Sequence, residues 1–313
     1  MSYRGLDIAL VVPCYNEETT IFQVVSDFKN YMPEITPYVF DNNSTDRTKE
    51  EALRAGAKVI SVHDKGKGNV VRRIFADVNA DVYVMVDGDA TYDAASVHQL
   101  VDKLIDDNLD MVVGCRKVVS DKNLKAYRLG HEFGNKMLTA SVTTIFGGKF
   151  TDMLSGYRAF TRRYAKSFPA LSHGFETETE LTVHALELRM PYGEVSTLYG
   201  ERPEGSVSKL STYKDGVRIL KTIVRLFMRE KPLYFFGIMT ILFCSISVIL
   251  AIPIFSEYFE TGLVPRLPTA VLSAMTMLAG FLTLSCGLIL DNITIARHES
   301  RRLAYLLVSH QAK

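Results

Sequence analysis

The stretch that decides the fold runs from Tyr83 to Asp93 and reads YVMVDGDATYD. Its first four residues are apolar, as in a strand that is buried on both faces of a parallel sheet. Two carboxylates, Asp87 and Asp89, follow this run at once, with Gly88 between them. Because ligands of open α/β sheets bind outside the carboxyl ends of the strands, the pattern predicts that both acids lie at the mouth of a binding site.

The two acids suit a divalent cation. Mg²⁺ and Mn²⁺ prefer oxygen ligands and are commonly shared between one or two carboxylates and the diphosphate of a substrate. Gly88 permits a tight bend and the close approach of a ligand to the backbone. A simple turn after a buried strand explains an isolated Asp-Gly-Asp more economically, since turns are rich in both residue types. The surrounding sequence therefore has to decide between the two interpretations.

Short apolar strands and amphipathic helices alternate along the first part of the chain. Strands are predicted at residues 7–12, 37–41, 58–62 and 83–86, each followed by a helix after a short connection. This alternation indicates right-handed βαβ units and a mostly parallel sheet. Asp41 ends the second strand, and the loop before the third helix carries Lys65 and Lys67. Acids at two strand ends beside a basic loop predict a site for a nucleoside diphosphate.

Composition separates the chain into two parts. The 313 residues carry a formal net charge of +1, which gives no reason to expect nucleic acid as a partner. Residues 233–255 and 269–290 contain no charged side chain, and each segment exceeds the roughly 20 residues that cross a bilayer. A buried helix pair in a soluble protein is the less favoured interpretation at these lengths. The sequence therefore predicts a membrane protein with two spans.

A helix with two different faces is predicted before the first span, at residues 213–228. Basic side chains spaced by three, four and four fall on one arc of this helix and its end: Arg218, Lys221, Arg225 and Arg229. Such a helix suits the plane of an anionic membrane surface, although packing on the preceding domain explains it equally well.

The charges that flank the two spans predict their orientation. Basic residues precede the first span and follow the second, whereas the loop 256–268 carries only Arg266 beside two glutamates. The positive-inside rule then places the N-terminal domain and the C-terminus in the cytoplasm, in a multi-pass protein of the plasma (inner) membrane. Nucleotide-sugars are cytoplasmic, so this orientation agrees with the predicted site.

Five short motifs together resemble the family-2 glycosyltransferases of the GT-A fold. In chain order they are VVPCYNEE at 11–18, DNNSTD at 41–46, DGD at 87–89, GCR at 114–116 and DMLSGYR at 152–158. With the two spans, the chain resembles over roughly its whole length the polyprenyl-phosphate branch, which includes dolichyl-phosphate mannose synthases and undecaprenyl-phosphate glucosyltransferases. The resemblance implies inverting transfer of one sugar from a nucleotide-sugar to a polyprenyl phosphate, with Mg²⁺ or Mn²⁺ as cofactor. It leaves the sugar and the nucleotide base open, and we favour a UDP-sugar over a GDP-sugar.

The resemblance also implies roles for individual residues. Those expected to bind the donor nucleotide are Pro13, Tyr15, Glu17, Asp41, Lys67, Asp87 and Arg116. The metal would be held by Asp89 and Asp87, and the catalytic residues would be Asp152, Asp89 and Arg158. The residues expected to take the acceptor phosphate are Arg202, Ser208 and Lys209. Many soluble members place a catalytic aspartate near residues 176–180, where this chain has glutamates, so no general base is assigned.

The chemistry of the acceptor makes a strong general base unnecessary. A lipid monophosphate has a second pKa of about 6, by analogy with phosphoserine, so it is largely dianionic at neutral pH and already nucleophilic. The enzyme must instead hold two polyanions together and stabilise the leaving diphosphate. That task takes a metal ion on one side and cationic side chains on the other.

The predicted architecture is α/β, with a GT-A catalytic domain (Rossmann-like, mostly parallel sheet) at residues 1–205. An acceptor loop and amphipathic juxtamembrane helix follow at 206–232, two transmembrane helices with a short outer hairpin at 233–290, and a cytoplasmic tail at 291–313. We also expect a homo-oligomer, a dimer or a tetramer. Gly280 and Gly287 are small residues in the second span that permit close helix approach.

Two other functions remain as alternatives. A processive polysaccharide synthase usually carries a Gln/Arg-x-x-Arg-Trp motif and more spans, whereas this chain contains no tryptophan. A non-catalytic, membrane-anchored binding or accessory protein with a transferase-like domain is the second alternative. Intact acids at Asp41, Asp87, Asp89 and Asp152 argue against it.

Overall fold

A computed structural model of the chain describes residues 2–118, 129–171, 174, 176–203 and 212–308. The chain divides into two compact units. The first comprises Met1–Thr222 together with Arg301–Lys313, and the second comprises Ile223–Ser300. The predicted boundaries at residues 205, 232 and 290 remain predictions.

The first unit contains a sheet surrounded by helices. The strands are β1 (Ile8–Cys14), β2 (Thr36–Asp41), β3 (Lys58–Ser61), β4 (Val82–Met85), β5 (Met111–Val118), β6 (Arg158–Thr161) and β7 (Tyr192–Tyr199). The helices are α1 (Ile21–Tyr31), α2 (Thr48–Arg54), α3 (Lys67–Asp77), α4 (Val97–Asp106), α5 (Leu129–Phe146), α6 (Arg162–Ser167), α7 (Thr177–Glu187) and α8 (Thr212–Glu230), the last of which continues into the second unit.

The seven strands form one sheet in the order β3-β2-β1-β4-β6-β5-β7. All pairs are parallel except those that β6 makes with β4 and β5. The prediction of a mostly parallel α/β sheet is thus confirmed. The carboxyl ends of β1, β2 and β4 lie side by side, so the loops that follow these strands meet at one edge of the sheet.

Both faces of the sheet are covered. On β4, Val82 and Val84 join a core cluster with α1, α2 and α4, whereas Tyr83 and Met85 join one with α3, α6 and α7. This follows from the two-residue repeat of a strand, which sends alternate side chains to opposite faces. Because both faces are buried, the strand is apolar throughout, as its sequence indicated.

The structure differs from the sequence predictions at several boundaries. The first helix begins only at Ile21, because β1 continues through Pro13 to Cys14. Pro13 is tolerated there since pairing with β4 ends at Val11, and only β2 is a neighbour beyond that point. Strands β6 and β7 were not predicted. Strand β6 has only four residues, and both strands lie late in the chain, after the regular alternation of strands and helices has ended.

The second unit contains α9 (Pro232–Thr261) and most of α10 (Leu267–Leu307), whose residues from Arg301 belong to the first unit. Both helices are candidate membrane spans. Helix α10 continues without a break to Leu307, beyond the predicted end of the second span at residue 290. Ser247 and Ser273 each donate a hydroxyl to the other's carbonyl oxygen, at 2.7 and 2.9 Å. Gly280 faces Cys244, and Gly287 faces Phe236. These two glycines therefore permit close approach within one chain.

Candidate active site

The turn after β4 is held tightly in place. Thr20 Oγ1 donates to the carbonyl oxygen of Gly88 at 2.6 Å. A side chain at Gly88 would place its first carbon 2.7 Å from Cys14 Sγ, so this position requires glycine. Ala90 has a φ of 57°, a left-handed conformation that an alanine rarely adopts. Backbone strain of this kind concentrates at functional sites, where surrounding contacts enforce it.

Asp87 lies in a buried ion-pair cluster. Lys67 Nζ contacts Asp87 Oδ1 at 2.5 Å and Glu178 Oε1 at 2.5 Å. Burial lowers the pKa of the lysine, but the two carboxylates outweigh burial and the net pKa is raised. Lys67 is therefore a fixed cation that links α3, the β4 turn and α7. Its role in binding the donor nucleotide remains a prediction, and the structure adds two contacts with acids of the protein.

Asp89 has a different partner for each oxygen. Oδ1 accepts a hydrogen bond from Thr91 Oγ1 at 2.6 Å, and Oδ2 is 2.6 Å from Arg202 Nη2. Arg202 follows β7, so the pair joins positions 113 residues apart in the chain. The acid predicted to hold the metal thus contacts the arginine predicted to hold the acceptor phosphate. Ser208 and Lys209 lie outside the described residues.

Asp152 is held by four hydrogen bonds. Arg116 donates to it through Nε and Nη2, both at 2.7 Å, and through its backbone N–H at 3.1 Å. Asn135 Nδ2 adds a fourth bond at 2.9 Å. Burial raises the pKa of Asp152, but the bonds and charge of Arg116 outweigh it, so that the net pKa is lowered. The carboxylate is therefore ionised, and it fixes Arg116 in one orientation.

Arg158 does not reach the site. Its side chain is fully buried and donates to Thr182 Oγ1 at 3.0 Å and to the carbonyl oxygens of Ser155 and Met153. Burial lowers the pKa of its guanidinium group. These bonds hold the loop that carries Asp152. The placement supports a structural role in place of the predicted catalytic one.

Residues predicted for the donor nucleotide gather at the same edge of the sheet. Asp41 is fully buried at the end of β2, where it accepts from the Ser44 N–H at 3.3 Å. Glu17 is buried after β1, and its backbone N–H donates to Thr48 Oγ1 at 2.8 Å. Pro13 is half-buried within β1, and Tyr15 is exposed beside it. The structure thus brings these residues together beside the β4 turn.

Comparison of the sequence with known protein families identifies the family of this chain. Residues 9–168 match the model described as Glycosyl transferase family 2. The chain belongs to this family. It is a glycosyltransferase by its domain, and it is 32% identical over 302 residues to Glycosyltransferase AglJ of Haloferax volcanii, a match that covers 96% of this chain and 98% of the relative.

One further relative and one solved structure are also similar to this chain. The dolichyl-phosphate hexose transferase of Haloferax volcanii is 29% identical over 235 residues, which cover 73% of this chain and 97% of the relative. A solved glucosyl-3-phosphoglycerate synthase of Mycobacterium tuberculosis, crystallised with Mn²⁺, UDP-glucose and phosphoglyceric acid, is 23% identical. It has a TM-score of 0.57 and matches 72% of this chain and 80% of that one. At this identity the likeness shows the shared fold alone.

Three residues of this family-2 site were not identified from the sequence. Glu178 was noted among the acids of α7 but was given no role, and its contact with Lys67 is visible only in the fold. Asn135, which bonds to Asp152, lies in a helix with no motif to mark it. Tyr92 belongs to the stretch quoted first, and its hydroxyl accepts from the Gly156 N–H at 2.9 Å. Burial raises the pKa of this tyrosine.

The acids of this transferase fit a cation shared with a substrate. Among the described residues, no group of three or more Asp, Glu, His or Cys side chains is arranged to hold a metal ion. Asp87 and Asp89 alone suit a Mg²⁺ or Mn²⁺ whose other ligands come from a diphosphate and water. Gly156 lets the Asp87 carboxylate lie against the backbone, since the first carbon of a side chain there would overlap Asp87 Oδ2. The chemistry of the two carboxylates fits such a cation.

Proposed function

We propose that this family-2 enzyme is a membrane-bound, inverting glycosyltransferase that moves one sugar from a nucleotide-sugar to a polyprenyl phosphate. UDP is the favoured nucleotide, and the reaction depends on a divalent cation, Mg²⁺ or Mn²⁺. The dolichyl-phosphate hexose transferase of Haloferax volcanii, whose name states a lipid-phosphate substrate, supports the acceptor class. The two candidate spans support a membrane location for that substrate.

One observation carries the proposal, and it is the contact between Asp89 and Arg202. Asp89 follows β4 at the edge where donor-binding residues gather, and Arg202 begins the polar segment that leads towards α8. A transferase must bring a donor diphosphate and an acceptor phosphate within reach of each other. The contact supports an arrangement in which the donor site and the acceptor site lie next to each other at these two side chains.

The proposed reaction needs no general base from the protein. An oxygen of the acceptor phosphate attacks the anomeric carbon of the sugar, the bond from that carbon to the donor diphosphate breaks, and the electron pair leaves with the nucleoside diphosphate. Attack opposite the leaving group inverts the anomeric configuration. A cation at Asp87 and Asp89 would supply charge stabilisation to the departing diphosphate.

Other side chains of the enzyme orient these groups. Asp152 holds the guanidinium of Arg116, which is expected to bind the donor nucleotide, and Asn135 in turn holds Asp152. Glu178 holds Lys67 against Asp87, so that this carboxylate keeps one orientation. We assign Asp152 and Glu178 as positioning residues and leave the nucleophile to the acceptor itself.

The proposed location has the catalytic domain in the cytoplasm, with α9 and α10 as the two spans of a multi-pass protein. The distribution of Arg and Lys around the apolar segments supports this orientation. We also propose a homo-oligomer. Since Gly280 and Gly287 pack within one chain, the oligomer contact would use other faces of the helices.

A turnover assay tests the proposed function. The full chain in detergent, with Mn²⁺ and undecaprenyl phosphate, is offered a panel of UDP- and GDP-sugars, and released nucleoside diphosphate is measured. We expect release with one donor that depends on both the lipid and the cation. Asp89→Asn serves as the matched inactive protein. Release that ignores the lipid contradicts the acceptor, and equal release by Asp89→Asn contradicts the site.

A further inference from the structure

Asp89 and Arg202 are predicted to bind different ligands, yet in the structure they bind each other at 2.6 Å. Asp89 is the candidate for the donor's cation, and Arg202 is the candidate for the acceptor's phosphate. One carboxylate oxygen cannot fully serve an arginine and a divalent cation together, because the two positive charges repel at close range. The contact is therefore a competition between the protein's arginine and the cation of the donor.

The two partners differ in how firmly they are held. Asp89 is buried in a turn fixed by Thr91 and by the strained Ala90, and its side chain is 6% exposed. The Arg202 side chain is 24% exposed and follows an anchor where the Gly200 N–H donates to the carbonyl oxygen of Thr91. Residues 201–203, which include Arg202, belong to neither a strand nor a helix. Arg202 is thus the partner that can move.

Lys67, the second basic side chain at the turn, is unsuited to such a movement. Lys67 belongs to α3 and contacts Asp87 and Glu178 from two further elements, and its side chain is 10% exposed. Removing it from both acids would leave the buried carboxylate of Glu178 and the half-buried carboxylate of Asp87 without this counter-charge, which is costly. Among the described contacts, Arg202 pairs with the carboxylate of Asp89, and a phosphate dianion offers its guanidinium a two-oxygen partner.

We propose that Arg202 exchanges Asp89 for the acceptor phosphate when the donor and its cation bind. The acceptor site is then completed only after the donor is in place. This inference rests on the proposed function and adds an order of binding to it, with one named side chain as the link. By thermodynamic reciprocity, the acceptor phosphate strengthens donor binding by the same factor as the donor strengthens acceptor binding.

Isothermal titration of the full chain in detergent tests the exchange without turnover. Farnesyl phosphate serves as the acceptor probe, and Mn²⁺ with UDP serves as the donor probe, with GDP in its place if UDP gives no binding heat. In the wild-type protein we expect Mn²⁺–UDP to lower the Kd of farnesyl phosphate by at least about 5-fold, the lower end of typical couplings. Independent or antagonistic binding of the two probes overturns the exchange.

The variant Arg202→Gln removes the charge and keeps a polar side chain of similar width. We expect it to bind Mn²⁺–UDP about 3- to 10-fold more tightly than the wild type, because Asp89 no longer has a competing partner, and to lose the coupling to farnesyl phosphate. Equal or weaker Mn²⁺–UDP binding contradicts the proposal. Arg163→Gln is the matched control, since it breaks an Arg–Asp pair with Asp110 instead and is expected to leave Mn²⁺–UDP binding unchanged.

The wild-type titration does not depend on any variant folding correctly. Its outcome is also separable from that of the turnover assay. Lipid-dependent turnover with uncoupled binding overturns the exchange and leaves the proposed function intact. Absence of lipid-dependent turnover and of farnesyl phosphate binding overturns both.

Discussion

The two edges of the sheet each carry a buried aspartate paired with an arginine, and they use the pair differently. At the amino end of β5, Asp110 is fully buried and accepts from Thr161 Oγ1 at 2.7 Å, from Arg163 Nε at 2.5 Å and from Tyr305 Oη at 2.7 Å. Strand, helix and C-terminal segment of the first unit thus supply its partners. A buried charge that is fully bonded in this way contributes to a single folded arrangement.

At the opposite edge, Asp89 has Thr91 on one oxygen and Arg202 on the other, beside a left-handed alanine. The residue types match those around Asp110, but one partner lies in an irregular segment and the backbone is strained. Strain that surrounding contacts enforce is typical of sites that bind or react. The comparison indicates that the number and rigidity of the partners, rather than the charge pair itself, separate a structural aspartate from a functional one.

The largest expected effect comes from Asp89→Asn. The change keeps the shape of the side chain and removes the charge that a donor cation and Arg202 both need. We expect turnover to fall by about 1,000-fold, as when a group that stabilises transition-state charge is removed. The melting temperature should fall less than for Asp110→Asn, because Asp110 is fully buried and bonds to three side chains, whereas the Arg202 partner of Asp89 is 24% exposed. Turnover and thermal melts on the same preparation measure both.

Asp110→Asn is the corresponding substitution at the other edge of the sheet. It leaves Arg163 and Tyr305 facing a neutral group in a buried position. We expect a loss of about 3 to 5 kcal/mol in the free energy of unfolding, the range for breaking a buried pair. Turnover per folded molecule should be unchanged. If Asp110→Asn abolished turnover and Asp89→Asn unfolded the protein, the distinction between the edges would be wrong.

Gly156→Ala tests the position of Asp87 with a single methyl group. That methyl would overlap the Asp87 carboxylate, which must rotate or shift. Misplacement of a catalytic group by about 1 Å costs about 100-fold in rate, so we expect a loss of this order. Gly134→Ala is the matched control, since an added carbon at Gly134 meets nothing within 4 Å. A control that is as slow as Gly156→Ala would contradict a local cause.

The first half of the fold and the centre of the site follow from the sequence for a physical reason. Strands buried on both faces must be apolar, so β1, β2 and β4 can be recognised from their own residues. The acids that end them, Asp41, Asp87 and Asp89, are then placed at one edge by the topology of parallel strands alone.

The rest depends on contacts between distant segments, which no local pattern contains. Lys67 lies in a glycine-rich basic loop and suggests a phosphate contact, but Glu178 from α7 makes it part of a buried cluster. Arg158 belongs to a family motif, yet the packing around β6 buries it completely. The pairing of Arg202 with Asp89 joins residues that the sequence assigns to two different ligands.

Arg116→Gln gives a smaller effect with a defined pH dependence. In the wild type the pKa of Asp152 lies below its ordinary value of 3.8, so the ionised form adds stability above that pH and loses it as the pH falls through the lower, folded-state pKa. Without the guanidinium of Arg116, the backbone N–H of residue 116 and Asn135 still oppose the effect of burial, but the largest opposing contribution is lost and the pKa should rise. The sign then reverses, since stability is lost as the pH rises through the raised pKa.

Two measurements check this prediction. Denaturant melts between about pH 3 and pH 6 should show the wild type gaining stability relative to Arg116→Gln as the pH increases. If the ionised Asp152 is needed for turnover, the acid limb of the rate profile should move up by about one pH unit. Asn135→Ala should shift the limb in the same direction by less. A variant whose stability and rate profiles both parallel the wild type would show that Arg116 does not control this carboxylate.

Tyr305→Phe is expected to have the smallest effect of these substitutions. It also gives the most direct test of whether the two edges of the sheet are independent. Its hydroxyl donates to Asp110, which keeps Thr161 and Arg163 as partners when the tyrosine is lost. We therefore expect a loss of about 1 kcal/mol in the free energy of unfolding and no change in turnover or in Mn²⁺–UDP binding. The site edge is separated from this cluster by the length of the sheet. A change in binding there would mean that the C-terminal segment, through Asp110, influences the donor site, and the two edges would then act as one system.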